Sequence, residues 1–225
     1  MWEIDTRVME VYRILLGAYG EQGWWPVRGT YSASFKKRRR TPAERFEICV
    51  GAILAQNTSW KNAEKALDNL REVGALKRKT MEKLGQKELA TLIRPAGYYN
   101  TKAKKLKEFL KYSGRISRAG LLGIWGCGPE TVDSILLYAY GKPVFVVDAY
   151  ARRIFSRLGL CRLEKGGNSY GKLQEYFMES VPQDPEIFNE YHALIVGHAK
   201  KHCRAKPECS GCPLKKLCKK ELRIV

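Results

Sequence analysis

Acidic residues are scarce in this chain: 23 Asp and Glu stand against 41 Lys and Arg, for a net charge of +18 and a pI near 9.7. A folded protein with that surplus points to a polyanionic partner, usually nucleic acid. A basic surface kept for solubility, or for the ion-pair networks of a thermophile, is the alternative that charge alone leaves open. Long apolar runs are missing too. No stretch approaches the roughly 20 residues that cross a bilayer, so no membrane association is expected. No secretory leader is expected either, because "MWEIDTRVMEVYRILLGAYG" carries charges throughout its amphipathic pattern. The expected location is intracellular, in the cytoplasm and associated with the nucleoid. In a reducing compartment the seven cysteines read as thiols or metal ligands before disulfides.

Period-two strands are also lacking, and no repeat of fixed period is visible. What is there is helical spacing almost everywhere, in 225 residues of which 44% are hydrophobic. That length suffices for one large domain or two small ones sharing a cleft. Thr41-Pro42-Ala43-Glu44 reads as N-cap, N1 proline and capping-box glutamate ahead of "RFEICVGAILAQNT". Further helices are expected over about 3–18, 60–73, 80–93, 100–113, 129–140, 148–159, 169–180 and 185–200. The one β-like run, "PVFVV" at 143–147, is too short for a sheet and crosses between helices. The fold class is all-α, in two helical lobes. One spans 30–145; the other joins 1–29 to 146–225. Basic clusters stand at 36–40, 77–79 and 101–109, and the first reads as a loop of solvated surface or else as nucleic-acid contact.

Four of the cysteines, Cys203, Cys209, Cys212 and Cys218, fall within 16 residues at the spacing C-x5-C-x2-C-x5-C. Four thiolates in one loop are the ligand set for a [4Fe–4S] cluster or a tetrahedral zinc, with a disulfide pair as the other reading. Zinc sites more often use two C-x2-C knuckles, and the second knuckle is absent here, which favours the [4Fe–4S] cluster. Lysines at 200, 201, 206, 215, 216, 219 and 220 surround the loop and suit phosphate. Cys49, Cys127 and Cys161 stand in apolar settings and read as core residues.

The stretch "LLGIWGCGPETVDSILLYAY" puts Gly126 and Gly128 just ahead of a helix that starts at Pro129. Glycines permit positive φ and a close ligand approach, and their N–H groups add to those of the helix start as an anion site. With a helix at 115–123 in front, the unit reads as a helix-hairpin-helix, or else as a tight corner without a ligand. Asp148 follows 20 residues after Gly128 and opens the next helix. It serves as a plain N-cap, or as an immobile carboxylate aimed at what the hairpin holds.

The hairpin pattern LxxIxGxGxxT, the apolar run ending in Asp148 and the four-cysteine loop, in that order, resemble the endonuclease III superfamily of DNA glycosylases over residues 8 to 218. The resemblance implies two helical lobes with DNA bound across their cleft, and double-stranded DNA containing a damaged base as the partner of a monomer. It implies a [4Fe–4S] cluster on Cys203, Cys209, Cys212 and Cys218, although the first spacing is one residue shorter than the family's C-x6-C. Asp148 becomes the catalytic residue, and Gly126, Gly128 and Thr131 of the hairpin become DNA contacts. Bifunctional members carry a lysine before the hairpin threonine, which attacks the sugar as an imine-forming nucleophile. Glu130 holds that slot here, so strand cleavage should be lost or weak. Otherwise Glu130 is a first-turn acid that suits the helix dipole.

"RFEICVGAILAQNTSWKNAEKAL", "IRPAGYYNTKAKKL" and the early "WWP" resemble more narrowly the 3-methyladenine DNA glycosylase III branch. That branch need not carry a cluster, whereas this chain has all four cysteines. By that likeness Trp24, Trp25, Pro26, Phe46, Glu130 and Lys200 belong to the pocket for a flipped base. Electron-rich rings would hold a cationic N-alkylated purine, already a good leaving group. Packing is the alternative reading for Trp24, Trp25 and Phe46, and a solvated lysine for Lys200. Gln56 matches a position that fills the gap left by the flipped base, with Asn57 beside it. The expected activity is hydrolytic removal of a damaged base from DNA, most often an N-alkylated purine. The rivals are a lyase-active glycosylase for oxidised or deaminated bases and a cluster-bearing protein that binds damage without cutting.

Overall fold

The computed structural model describes residues 6–34, 38–160 and 169–219. Cys161 and the first two residues of the 36–40 basic run lie outside them. The chain forms α1 (Thr6–Tyr19), α2 (Pro42–Leu54), α3 (Trp60–Glu72), α4 (Arg78–Lys83), α5 (Gln86–Leu92), a 3-10 turn (Arg94–Ala96), α6 (Tyr99–Lys111), α7 (Arg118–Leu122), α8 (Pro129–Ser134) with a π-helical turn (Ile135–Ala139), α9 (Ala149–Arg157), α10 (Ser169–Ser180) and α11 (Pro185–Lys201). The class is all-α: among the described residues the β pairing is one isolated bridge, Val27 to Thr30. None of their helices is long and apolar enough to cross a membrane.

The chain divides into two compact units. One comprises Trp25–Tyr31 and Arg38–Lys142. Its central helix is α2, buried from Glu47 to Leu54, and packed by α3, α6 and α8 with its π turn. The start of α2 is a complete capping box: Glu44 N donates to Thr41 Oγ1 at 3.3 Å and Thr41 N to Glu44 Oε2 at 2.8 Å. Such a box contributes about 1 kcal/mol over an uncapped start. The helix expected over 80–93 is two helices, broken where Leu84 is extended and Gly85 caps α5. The apolar period runs on through the break because Met81, Leu89 and Ala90 all bury into one core. After the π turn, Gly141 at φ 60 ends the helix, with Gly141 N bonded to Leu137 O and Lys142 N to Leu136 O, each at 3.0 Å. That is a Schellman-type stop, and Pro143 follows it.

The other unit comprises Met1–Trp24, Ser32–Lys37 and Pro143–Val225. Its described core gathers Phe145, Phe155, Phe177, Phe188 and Tyr191, all at 0% exposure. Phe145 and Phe177 stack at 4.0 Å and 9°, and Tyr191 donates to Val8 O at 2.6 Å. The run 143–147 is extended and unpaired as a strand, as its length predicts. Two of its backbone groups meet side chains instead: Gln174 Nε2 donates to Phe145 O at 2.6 Å, and Val147 N donates to Tyr170 Oη at 3.4 Å.

Candidate functional site

The hairpin lies wholly in the unit built on α2. Ser117 caps α7 by accepting from Gly120 N at 3.1 Å, and the turn runs from Gly123 to Gly128 into α8. Gly126 takes φ +86, a backbone that side chains avoid, whereas Gly128 is at φ −82. Gly128, Pro129 and Glu130 are exposed, and a Cβ at Gly128 would meet nothing within 4 Å. The start of α8 has no side-chain cap, and the glycine before it carries no side chain to cover the first turn. The two helices are tied by a bidentate pair, Arg118 Nε to Asp133 Oδ1 at 2.7 Å and Arg118 Nη2 to Asp133 Oδ2 at 3.0 Å. Asp133 is fully buried.

Gln56 is bonded to the hairpin. Its Nε2 donates to Gly126 O at 3.0 Å and to Thr131 Oγ1 at 2.8 Å, and its Oε1 accepts from Lys105 Nζ. Thr131 is buried at 7% exposure, and Gln56 supplies a partner for its hydroxyl. Asn57 next to it is exposed at φ 51, and Tyr98, also left-handed at φ 46, is 72% exposed. Beneath these turns Lys102 is buried at 2% exposure and donates to Leu54 O at 2.8 Å and Ala96 O at 2.7 Å. Neither Lys102 nor the Arg118–Asp133 pair was identified by sequence reasoning. Asp133 lies 15 residues from Arg118 and Leu54 lies 48 from Lys102, whereas Ala96 is 6 away, and only apolar spacing hinted that position 102 faces inward.

The aromatic candidates separate. Trp25 is 4% exposed, with its ring edge-on to Trp60 at 5.0 Å and tilted on Tyr138 at 5.2 Å. A Cβ on Gly51 would come within 3.0 Å of its Cζ2, so that glycine makes room for the indole. Pro26 is buried and Phe46 half-buried in the same unit. Trp24 is half-buried and belongs to the other unit, as does Lys200, exposed in the last turn of α11.

Asp148 caps α9 by accepting from Ala151 N at 2.7 Å through Oδ1, at 8% exposure. Its Oδ2 lies 3.6 Å from His192 Nε2 of α11. Burial pushes this carboxyl up, but the His192 ring and the Ala151 and Tyr150 N–H groups outweigh it and hold the group below the ordinary aspartate value. Asp148 is therefore ionised and fixed at neutral pH. His192 carries no motif; its place on the buried face of α11, beside Phe188, Tyr191 and Ile195, was the available signal.

The four cysteines Cys203, Cys209, Cys212 and Cys218 line one cavity of about 350 Å³, with Ile154, Leu158 and Leu214. None of the four is in a disulfide. Among the described residues no three His, Cys, Asp or Glu side chains converge as they would on a single ion. Arginines of α9 hold the loop: Arg153 Nε donates to Cys203 O at 2.7 Å, and Arg157 reaches Cys203 Sγ at 3.1 Å, Arg204 O at 2.7 Å and Ala205 O at 2.9 Å.

Residues 50–183 match the family described as HhH-GPD superfamily base excision DNA repair protein. A Methanocaldococcus jannaschii protein, whose assignment as a DNA repair glycosylase is provisional, is 44% identical over 227 residues, covering 94% of this chain and 95% of its own. An endonuclease III solved in a non-covalent complex with DNA shares the fold at a TM-score of 0.77 and 21% identity, over 98% of this chain and 97% of its own. The H. pylori 3-methyladenine DNA glycosylase MagIII, solved with 1,N6-ethenoadenine, shares it at 0.67 and 24%, over 86% and 97%. The chain belongs to the HhH-GPD superfamily of base excision DNA repair proteins.

Proposed function

We propose that this DNA glycosylase is monofunctional, removing an N-alkylated purine such as 3-methyladenine from duplex DNA by hydrolysis and leaving the strand intact. The observation that carries the reading is Glu130, exposed in the first turn of α8 where lyase-active relatives place a lysine. A carboxylate forms no imine, so the covalent route to strand scission has no nucleophile at that position. Water is then the nucleophile. Asp148, ionised and immobile, stabilises the positive charge that develops on the sugar as the glycosidic bond stretches. The same carboxylate orients the attacking water and takes its proton. The hairpin holds the backbone through the N–H groups at Gly128 and the start of α8, and Gln56 and Thr131 fix the turn that presents them. By the likeness drawn from the sequence, electron-rich rings hold the flipped cationic purine; in the unit built on α2 this role falls to the half-buried Phe46, while Trp25 and Pro26 are buried.

The cysteine loop fits a [4Fe–4S] cluster better than zinc. Four cysteine side chains lining one cavity are the donor set of such a cluster, and the single C-x2-C pair lacks the second knuckle that zinc sites more often use. Cys203, Cys209, Cys212 and Cys218 would hold the cluster. Once bound, it would cross-link a lysine-rich loop suited to phosphate. Purified protein should be brown with about four irons per chain; a colourless zinc protein would overturn this assignment.

A panel of duplexes, each carrying one lesion and scored separately for base release and strand nicking, tests the function. Release of methylated adenine without nicking is expected. Nicking at oxidised pyrimidines, with a borohydride-trapped adduct, would replace this reading by a lyase-active one.

A further inference from the structure

The apolar residues of the hairpin turn point two ways. Leu121, Ile124 and Cys127 supply its inner face, at 0%, 6% and 6% exposure. Trp125, between the last two, is 50% exposed, and Leu122 is 37% exposed. The anchors that hold the turn to its unit are thus already in place without the indole, the largest apolar side chain available. Two consecutive lysines of α6 bear on the same turn. Lys104 Nζ sits 4.4 Å from the centroid of the Trp125 ring. Lys105 lies so close along Gly126 that a Cβ there would be 2.5 Å from its Cγ.

We propose that Trp125 and Lys104 form a side-chain contact with the DNA sugar–phosphate backbone, added to the main-chain grip of the hairpin. It rests on the DNA-binding reading above. The indole packs against a deoxyribose, and the ammonium neutralises an adjoining phosphate. A purely apolar partner would suit Trp125 and Leu122 and leave the lysine desolvated. A purely anionic one would suit Lys104 and waste the ring. Duplex DNA offers an apolar sugar edge bonded to a phosphate, which matches both. Cation–π contact holds the charge beside the ring before DNA arrives, so less side-chain freedom is lost on binding.

Fluorescence anisotropy, with an undamaged duplex and with one carrying a tetrahydrofuran abasic-site analogue, tests this over a range of salt. Trp125→Ala should weaken binding to both duplexes about tenfold with an unchanged salt slope, and Trp125→Phe should stay within about threefold of the parent protein. Lys104→Ala should lower the slope by about one. Acrylamide quenching should show emission that becomes protected on adding undamaged duplex, a change reduced in Trp125→Phe. Trp125→Ala binding as tightly as the parent protein would overturn the proposal, as would an unchanged slope in Lys104→Ala. Self-association abolished by Trp125→Ala with duplex affinity intact would assign the patch to a protein contact instead. Failure of the parent protein to bind duplex would remove the hairpin reading first, and this proposal with it.

Discussion

Asp148 Oδ2 stands 3.6 Å from His192 Nε2, with the two side chains 12% and 10% exposed. The ring helps hold Asp148 below the ordinary aspartate value against the burial that would raise it. Removing it leaves burial less opposed. His192→Ala should therefore move the acid limb of the pH–rate profile for base release to higher pH, since a neutral carboxyl stabilises no cation. The sign for stability is the same. A carboxyl depressed on folding stabilises the native state above its unfolded value and loses that contribution as pH falls through the folded one. Single-turnover base release from pH 4 to pH 8 measures the shift; coincident acid limbs would show that His192 does not hold Asp148.

Asp148 does two jobs that one substitution separates. Asparagine caps a helix about as well as aspartate, so Asp148→Asn should keep its Ala151 contact and change stability by a few tenths of a kcal/mol. Its amide carries no charge, and base release should fall by about 10² to 10⁴. Duplex affinity should persist. Base release at the parental rate in this variant would remove Asp148 from the mechanism.

Gly126 and Gly128 give opposite predictions. Gly126→Ala forces a Cβ into the left-handed region and to 2.5 Å from Lys105 Cγ, so it should destabilise by about 1–2 kcal/mol. Gly128→Ala meets open space at φ −82, so its stability should stay within about 0.5 kcal/mol of the parent's. If that glycine lets a phosphate approach, Gly128→Ala should still weaken duplex binding at least about tenfold. Urea melts paired with anisotropy separate the two effects. Unchanged affinity in Gly128→Ala would leave the hairpin a structural corner.

Local signals were readable before the structure, and tertiary ones were not. Thr41 and Glu44 meet within one helical turn, so their capping box shows in four consecutive letters. The cysteine spacing is equally local, and the thiols do line one cavity. The break at Leu84–Gly85 stayed hidden because the buried positions on either side keep helical phase. The π turn over Ile135–Ala139 leaves no mark, all five residues being apolar or aromatic and buried. Gln56 finds its partners 70 and 75 residues away, and His192 reaches Asp148 from another helix. Trp25 and Trp24 look equivalent as neighbours in "WWP", yet one is buried against Trp60 and the other half-buried in the second unit.

Gln56 is also testable as a bolt. Gln56→Ala leaves the Thr131 hydroxyl and the Gly126 carbonyl without that amide, and Lys105 without its acceptor. The expected cost is about 1–3 kcal/mol in urea unfolding, accompanied by weaker duplex binding. A Gln56→Ala protein that is equally stable but weaker on DNA would show instead that the side chain works in the complex alone.

Lys102 sets the last prediction. Its ammonium ties the end of α2 to the 3-10 turn, and so fixes the two segments that continue to Asn57 and Tyr98. Burial, with Lys105 nearby, lowers its pKa from 10.5 to about 8. Below pH 8 the native state must keep a charge in a nearly dry site, and the cost is present in full. Between pH 8 and 10.5 the folded protein has released a proton that the unfolded chain still binds, so stability rises with pH through this window. The full recovery is roughly 3 kcal/mol for a shift of that size. Other groups act oppositely, Cys49 for one, whose burial raises its thiol to about 12 and makes high pH destabilising. The comparison that isolates Lys102 is therefore the difference between the parent protein and Lys102→Met, taken from urea melts at pH 7 and pH 10. The parent should gain on the methionine variant as pH rises. Parallel stability curves would mean that the amine stays charged inside the fold and that its two carbonyl partners alone sustain it.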